Sequence, residues 1–575
     1  MLSQLDQKKI KSKLKFVYRN LSTTKEIDFY HKEIIGIIKK FNKKKIQKKK
    51  TINEKTSVLI CYGDSIYDNN KKKTIQVFQN FYQKKLSKYF NIVHFLPFYP
   101  SSSDSGFAVK DHYKIDSKIG NWSNISEFAR KNDIMADIVI NHSSARGLWF
   151  RNFLRKKKPG KDYFFKVNSN FNTSKVIRPR DHNLLKKINI FKKTEYLWRT
   201  FSPDQIDLNF KNPSVLLRFI KILINLVNHG VTIFRLDAIA YLWKENNTKC
   251  INLKQTHEIV KIFRLICNSL KTQTLLVTET NLPEKENISY LGNKDEANWI
   301  YNFPLPPLLI HAFLFENSLY LNKWSKKLPS LKLGNSYLNF IASHDGIGMR
   351  PVEGILKEKN LYNLLKRLKK NGSKFSYRKI QNKSRNVYEA NITIFNALKK
   401  SNFDKQGKYF FERYVSIHAI MIAFEGVPAI YFNSLFGTSN DEAKYIITGN
   451  KRDLNRYKWN KKVILNNLNN NKSKQSIFYK SLTKLLYIRK KQKAFHPNAS
   501  RYNIEVNSKI YCFKRVSIDK KQTIVCLTNL SSKYQSVELN KKFLKWNDLL
   551  GSKINYLSSS KLMIEPFQTI WLSHK

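Results

Sequence analysis

Three carboxylates each follow a short apolar run: Asp237 after VTIFRL, Glu279 after LLVT and Asp345 after NFIASH. His142 ends a similar run, DIVINH. His344 precedes Asp345, Arg235 stands two residues before Asp237, and Asp104 lies in SSSDSGF. If the runs are strands of a (β/α)8 barrel, these side chains gather at the rim formed by the C-terminal strand ends, where barrel enzymes carry their chemistry. Any one of the acids alone reads as a helix cap or a surface charge. Several carboxylates beside one arginine and two histidines would repel or depolarise one another in a purely structural setting, so the set points to nucleophile, acid and base work.

The elements needed to position them are legible in the same way. Between residues 58 and 432, eight short apolar runs, too short and too β-branched or aromatic for helices, alternate with helical stretches: 58–62, 92–95, 134–140, 231–236, 275–277, 299–303, 338–342 and 427–432. Continuous apolar strands alternating with helices imply a buried parallel sheet, and eight such units a (β/α)8 TIM barrel, an α/β fold. The helix before the fourth strand is well marked. Asn212 caps it, Pro213 opens it and Gly230 ends it, with Arg218, Lys221, Asn225 and His229 as one polar stripe. The long aperiodic gap after the third strand, about 143–211, predicts a small inserted domain on the catalytic face. Short alternating segments at 509–516, 522–527 and 569–572 predict an antiparallel β domain over 491–575. Residues 1–52 read as a basic helical extension with weak apolar periodicity, which leaves 53–490 for the barrel.

Composition narrows the function classes. The chain has 575 residues, with 105 Lys+Arg against 42 Asp+Glu, so 105 − 42 = +63; yet 42% hydrophobic and 13% aromatic residues are too many for a disordered polycation. Basic residues occur throughout and are densest at 39–50 (KKFNKKKIQKKK), but no nucleic-acid-binding module accompanies them. Abundant Lys, Asn, Ile, Phe and Tyr with sparse Gly and Pro is what an AT-rich coding sequence gives where surface positions tolerate lysine. Nucleic acid is therefore not expected as the primary partner. Cys61, Cys250, Cys267, Cys512 and Cys526 are odd in number and scattered, without CxxC spacing, which suggests a reducing, cytoplasmic setting and neither disulfides nor a zinc site. The charged N-terminus lacks the apolar core of a secretory signal, and the most apolar stretch, 219–234, is broken by polar residues, so no membrane span is expected.

In order, DIVINH, FRLDAIAYLW, VTET and ASHD resemble the four sequence regions of glycoside hydrolase family 13, the α-amylase family. RPRDHNLL, TFSPDQIDLNF, NFPLPPLLIHAF and ASHDGIGMRP look most like its sucrose phosphorylase subfamily. FSPDQIDLNF and ETNLPEKENISYLGN lean toward members acting on glucosylglycerate or sucrose 6'-phosphate. The resemblance implies Asp237 as nucleophile beside Arg235, Glu279 as general acid and then base, and Asp345 as the residue holding glucose hydroxyls, with His142 and His344 bonding others. Two inversions at one carbon would retain the α configuration.

It further implies that Asp104 and Arg452 close the glucose pocket, that Phe107 and Phe201 line it, and that Gln205 makes a polar contact nearby. For Phe201, core packing is an equal reading. Arg180, in RPR, and Tyr388, in VYEAN, match positions that bind phosphate or line the acceptor site, and a guanidinium suits bidentate phosphate contact. The expected reaction is retaining phosphorolysis of an α-glucoside, glucosylglycerate foremost, with inorganic phosphate as co-substrate and no metal or cofactor. Sucrose or sucrose 6'-phosphate are the alternatives within that chemistry. An α-glucosidase or transglucosylase would use the same three acids, and a non-catalytic sugar- or nucleic-acid-binding protein is the remaining reading. The excess positive charge would then serve as a field that draws in phosphate and anionic glucosides.

Overall fold

The computed structural model describes residues 2–574 apart from 43–51, 70–72, 191–192, 380–384, 541–542, 544, 552–553 and 559; most of the basic run at 39–50 lies outside the described residues. Eight strands close into one barrel: β1 (Val58–Cys61), β2 (Ile92–Phe95), β3 (Asp133–Val139), β4 (Val231–Asp237), β5 (Leu275–Thr278), β6 (Trp299–Tyr301), β7 (Ser336–Asn339) and β8 (Val427–Tyr431). Every neighbouring pair is parallel, and β1 closes the ring by pairing with both β2 and β8. The barrel is the one expected from eight apolar runs, because strands covered on both faces have no solvent side to encode.

One boundary moved. The seventh strand was expected at 338–342 but is Ser336–Asn339. Polar Ser336 belongs to its start because its amide donates to the Asn298 carbonyl at 3.0 Å, and Asn335 just before it donates its Nδ2 to the Ala297 carbonyl at 3.4 Å. Residues 340–342 leave the ladder and lead His344 and Asp345 over the mouth.

The helix before β4, Pro213–Asn228, begins as expected, with Asn212 Oδ1 accepting the Ser214 amide at 2.9 Å. It ends at Gly230, whose φ of +88° suits glycine and whose added Cβ would lie 2.4 Å from the Ala129 Cβ. Its polar stripe is not simply solvated. Arg218 donates to the Tyr163 hydroxyl, and Lys221 lies 4.0 Å from Glu33 of the N-terminal extension.

That extension is a pair of helices, α1 (Gln4–Tyr18) and α2 (Thr24–Asn42). α1 packs on the barrel helix Lys254–Ser269 and α2 on Pro213–Asn228. Lys13 pairs with Glu258 at 2.9 Å, and Asn42 donates to the Ser269 carbonyl at 2.8 Å. Ile10, Leu14, Ile34 and Ile38 are buried. Interleaved lysines had masked this apolar face in the sequence.

Two excursions build up the catalytic face. Within residues 143–211, a three-stranded antiparallel sheet orders Lys166–Val167, Lys193–Trp198 and Leu185–Ile190, while His142–Ser144 pairs with Gln205–Asp207 and so brings His142 and Gln205 to the rim. A second, unanticipated sheet between β7 and β8 joins Ile347–Gly348, Arg385–Asn391 and Lys374–Lys379, and carries Tyr388 and Glu389. C-terminal antiparallel sheets include Ile510–Val516, Thr523–Asn529 and Thr569–Ser573. Among the described residues, no helix is long and apolar enough to cross a membrane.

The docked extension yields a stability prediction. Ile38, fully buried, should lose about 2–5 kcal/mol on replacement by alanine. The Ile38→Ala urea midpoint should fall clearly below wild type; an unchanged midpoint would mean that the helices contribute nothing to the fold.

Candidate active site

β3 and β4 set the floor of the site. Their register places Arg235 opposite Asp137, and the Arg235 Nη1 bonds Asp137 Oδ1 directly. The same nitrogen donates to Asp237 Oδ1 at 2.7 Å, while Nη2 lies 3.7 Å from Glu279 Oε2 at the end of β5. His94, from β2, meets the other oxygen of Asp137 at 2.8 Å. One buried guanidinium thus faces three carboxylates, with the rings of Tyr301 and Phe107 5.6 and 5.8 Å from it. Burial opposes its charge, but Asp137, Tyr301, Asp237 and Glu279 together raise its pKa well above the usual arginine value.

Immediately after Asp237, Ala238 adopts a left-handed backbone with φ +50°, rare for a residue with a Cβ, and its amide donates to Glu279 Oε2 at 2.9 Å. Burial pushes both Asp237 and Glu279 upward, and Glu279 adds repulsion at Asp237. A pair so placed favours one shared proton. Arg235 bonds Asp237 at 2.7 Å but lies 3.7 Å from Glu279, so its pull toward the ionised form is stronger at Asp237.

A second cationic group crosses the mouth. Arg452 Nη1 lies 2.8 Å from Asp345 Oδ1 and 3.4 Å from Asp104 Oδ2, and its Nη2 donates to Glu389 at 2.7 Å. Arg456 Nη1 donates to the other oxygen of Asp104 at 3.0 Å. Although burial alone would raise Asp104, Arg456 and Arg452 pull it down to about 2, so it is ionised at neutral pH. Asp104 and Ser105 take φ of +51° and +49°, and the turn closes at Gly106, where a Cβ would lie 2.5 Å from the Pro97 carbonyl oxygen.

The histidines are held neutral. Burial pushes His142 down to about 4, and its Nε2 lies 3.2 Å from the Phe107 carbonyl. Burial, then Arg456, lowers His344 well below its usual value; its ring stacks on Phe107 at 5.0 Å, and its Nε2 is 3.3 Å from Asp345. Phe201 packs against His142 at 5.3 Å, and Gln205 is buried beside them. Arg180 lies over the Tyr388 and Phe201 rings at 5.0 and 5.9 Å and reaches Glu389 at 3.4 Å.

One cleft is lined by Asp237, Glu279, Asp345, Asp104, Phe107, His142, Phe201, Gln205, Arg235, His344, Arg452, Arg180 and Tyr388, every residue singled out in the sequence.

Residues 82–346 match the alpha-amylase catalytic domain. The chain is 35% identical over 529 residues to the glucosylglycerate phosphorylase of Escherichia coli (strain K12), covering 92% of this chain and 93% of that protein. It is 37% identical over 475 residues to the glucosylglycerate phosphorylase of Spirochaeta thermophila, covering 83% and 80%. The chain belongs to glycoside hydrolase family 13, the α-amylase family. Its fold is shared with the crystal structure of sucrose 6F-phosphate phosphorylase from Thermoanaerobacter thermosaccharolyticum, with a TM-score of 0.72 at 22% identity over 84% of this chain and 96% of that one.

Several members of this family 13 site escaped sequence reasoning. Asp137 is an acid inside an apolar parallel strand, and Arg235 its cross-strand counterpart; each needs a partner of opposite sign, which was a usable signal. Arg456, four residues after Arg452, and Glu389, beside Tyr388, carried no local pattern, since their partners come from segments more than 60 residues away.

Asp137 lies beneath the cleft and positions Arg235 and His94. Asp137→Asn should lower stability by about 3–5 kcal/mol, because it removes a carboxylate from a buried pair. Activity should drop with it in the fraction that stays folded. Wild-type stability and activity in this variant would show that Arg235 is held by other groups.

Proposed function

We propose that the chain is a retaining α-glucoside phosphorylase that converts glucosylglycerate and inorganic phosphate into α-glucose 1-phosphate and glycerate. The observation that carries this reading is the 35–37% identity to glucosylglycerate phosphorylases over most of both chains. An ion-paired Asp237 beside a buried Glu279 supplies the chemistry that the reading needs.

Ionised Asp237 attacks the anomeric carbon opposite the leaving oxygen, forming a glucosyl ester as the glycosidic bond breaks. Glu279 gives its proton to the departing glycerate oxygen. A phosphate oxygen then attacks the same carbon from the face the glycerate left, its proton passing to Glu279, and Asp237 departs as a carboxylate. The second inversion restores the α configuration. Asp345 and neutral His142 and His344 are suited to bonding glucose hydroxyls, which a charged imidazolium would do at a larger desolvation cost.

The Asp104, Arg452 and Arg456 group supports a closed donor pocket that admits one terminal glucosyl unit and excludes starch-like chains. Arg180, beside Tyr388, is the residue we assign to phosphate. The five cysteines, all buried free thiols, suit the reducing cytoplasm in which we place the reaction. The surplus positive charge favours the approach of both anionic substrates.

The test is incubation with glucosylglycerate with and without inorganic phosphate. Phosphate-dependent release of α-glucose 1-phosphate is expected; free glucose as the main product without phosphate would contradict the reading. kcat/KM should follow a bell-shaped pH profile whose limbs belong to the Asp237–Glu279 pair, lost at low pH when both acids carry protons and at high pH when neither does. Asp237→Asn should lower turnover by about 10⁴-fold or more, the order seen when a covalent nucleophile is removed. Comparable activity in that variant would remove Asp237 from the role.

A further inference from the structure

Tyr388 and Glu389 are consecutive in the strand Arg385–Asn391, yet both are buried and both line the cleft. Neighbours in a regular strand point to opposite faces. Here the ladder with Lys374–Lys379 pairs Ser376 with Glu389 and Tyr377 with Val387, so Tyr388 is the extra residue of a β-bulge, a device that re-aims side chains beside active sites. The bulge brings a carboxylate to the cleft that the reaction described above does not use.

Two arginines from distant segments meet it. Arg452, in the turn Lys451–Asn455, donates Nη2 to Glu389 Oε1 at 2.7 Å and Nε to Oε2 at 3.3 Å. The adjacent Lys451 ammonium donates to the Phe375 carbonyl at 2.8 Å, which fastens the same turn to the sheet that carries Glu389. Arg180, from the inserted domain, reaches the same Oε1 at 3.4 Å. The first contact is two-pronged and buried; the second is single, longer and made by a side chain 17% exposed.

The unequal contacts have unequal consequences. Arg452 also lies 2.8 Å from Asp345 and 3.4 Å from Asp104. Removing Glu389 would leave that guanidinium to these two acids alone and draw Asp345 away from glucose hydroxyls. Arg180 is the residue assigned to phosphate, and phosphate reaches it only in competition with the carboxylate already there. A guanidinium with no internal partner would bind the phosphate group of the product as well as that of the substrate, whereas a carboxylate beside it favours release of both.

We propose that Glu389 is a positioning residue with two opposed effects: it holds Arg452 for the donor pocket, and it competes with phosphate for Arg180. This rests on the phosphorylase reading and on Arg180 as its phosphate residue.

The test generates the glucosyl-enzyme from α-glucosyl fluoride at one subsaturating phosphate concentration and measures the ratio of α-glucose 1-phosphate to free glucose. That ratio is set after the intermediate forms and does not depend on how much protein is folded. Glu389→Gln should raise it by about 2- to 5-fold, the range for one partly exposed ion pair. The same variant should lower kcat/KM for the fluoride, normalised to the folded fraction, by about 10-fold or more as Arg452 loses its two-pronged partner. Glu389→Asp, which keeps the charge, should bring the ratio back toward wild type. Arg180→Gln should lower the ratio, and adding Glu389→Gln to it should give a smaller gain than in the wild-type background. An unchanged or lowered ratio in Glu389→Gln, or an equal gain with and without Arg180, would overturn the competition; an unchanged kcat/KM for the fluoride would overturn the hold on Arg452. A wild type that forms only free glucose at every phosphate concentration would instead sink the phosphorylase reading and the competition with it, and the fluoride kcat/KM would still decide the hold on Arg452.

Discussion

The guanidinium of Arg235 lies buried between Asp137, Asp237 and Glu279, and the site depends on it. Without a cation there, burial and mutual repulsion would protonate the acids, and Asp237 could not serve as the ionised nucleophile we propose. With it, the charges on β3, β4 and β5 are tied together by parallel register, and the direct bond to Asp237 separates the roles of two otherwise similar carboxyls. The barrel supplies that register, so the arrangement is built into the rigid part of the fold.

The mouth obeys the same principle with different parts. Arg452 and Arg456 come from the loop after β8, Asp104 from the loop after β2, Asp345 from the loop after β7 and Glu389 from the second rim sheet. These segments meet only when folded. Their meeting restrains loops that would otherwise be free, and left-handed backbone at Asp104, Ser105 and Ala238 shows where the chain accepts strain to aim a side chain or an amide. The high positive charge of the chain does not work against this, because the acids that matter are each enclosed by specific arginines.

Much of this was readable from residue order. Parallel strands buried on both faces appear as apolar runs, so the barrel was visible, and acids at run ends marked the rim. The seventh strand shifted because Ser336 looks like a turn residue until the carbonyl that its amide meets is known. The second rim sheet was missed since its strands, such as RNVYEAN, mix charge with few apolar residues. Glu389 and Arg456 were missed for a related reason: an ion pair across long sequence separation leaves no local pattern. Asp137 was within reach, as a charge inside a buried strand must be paired. The docking of α1 and α2 was under-read because frequent lysines dilute an apolar stripe that the folded helices present cleanly.

The central claim is that Asp237, kept ionised by Arg235, forms a covalent bond to glucose while Glu279 handles the proton. The most direct measurement is mass spectrometry of Glu279→Gln incubated with α-glucosyl fluoride in the absence of phosphate. Fluoride departs without an acid, so the first step should proceed and the second should stall. The protein is expected to gain the mass of one glucosyl residue, located on the peptide that contains Asp237, and to lose it when phosphate is added. An adduct on a different residue, or unmodified protein that nonetheless consumes the fluoride, would contradict the account.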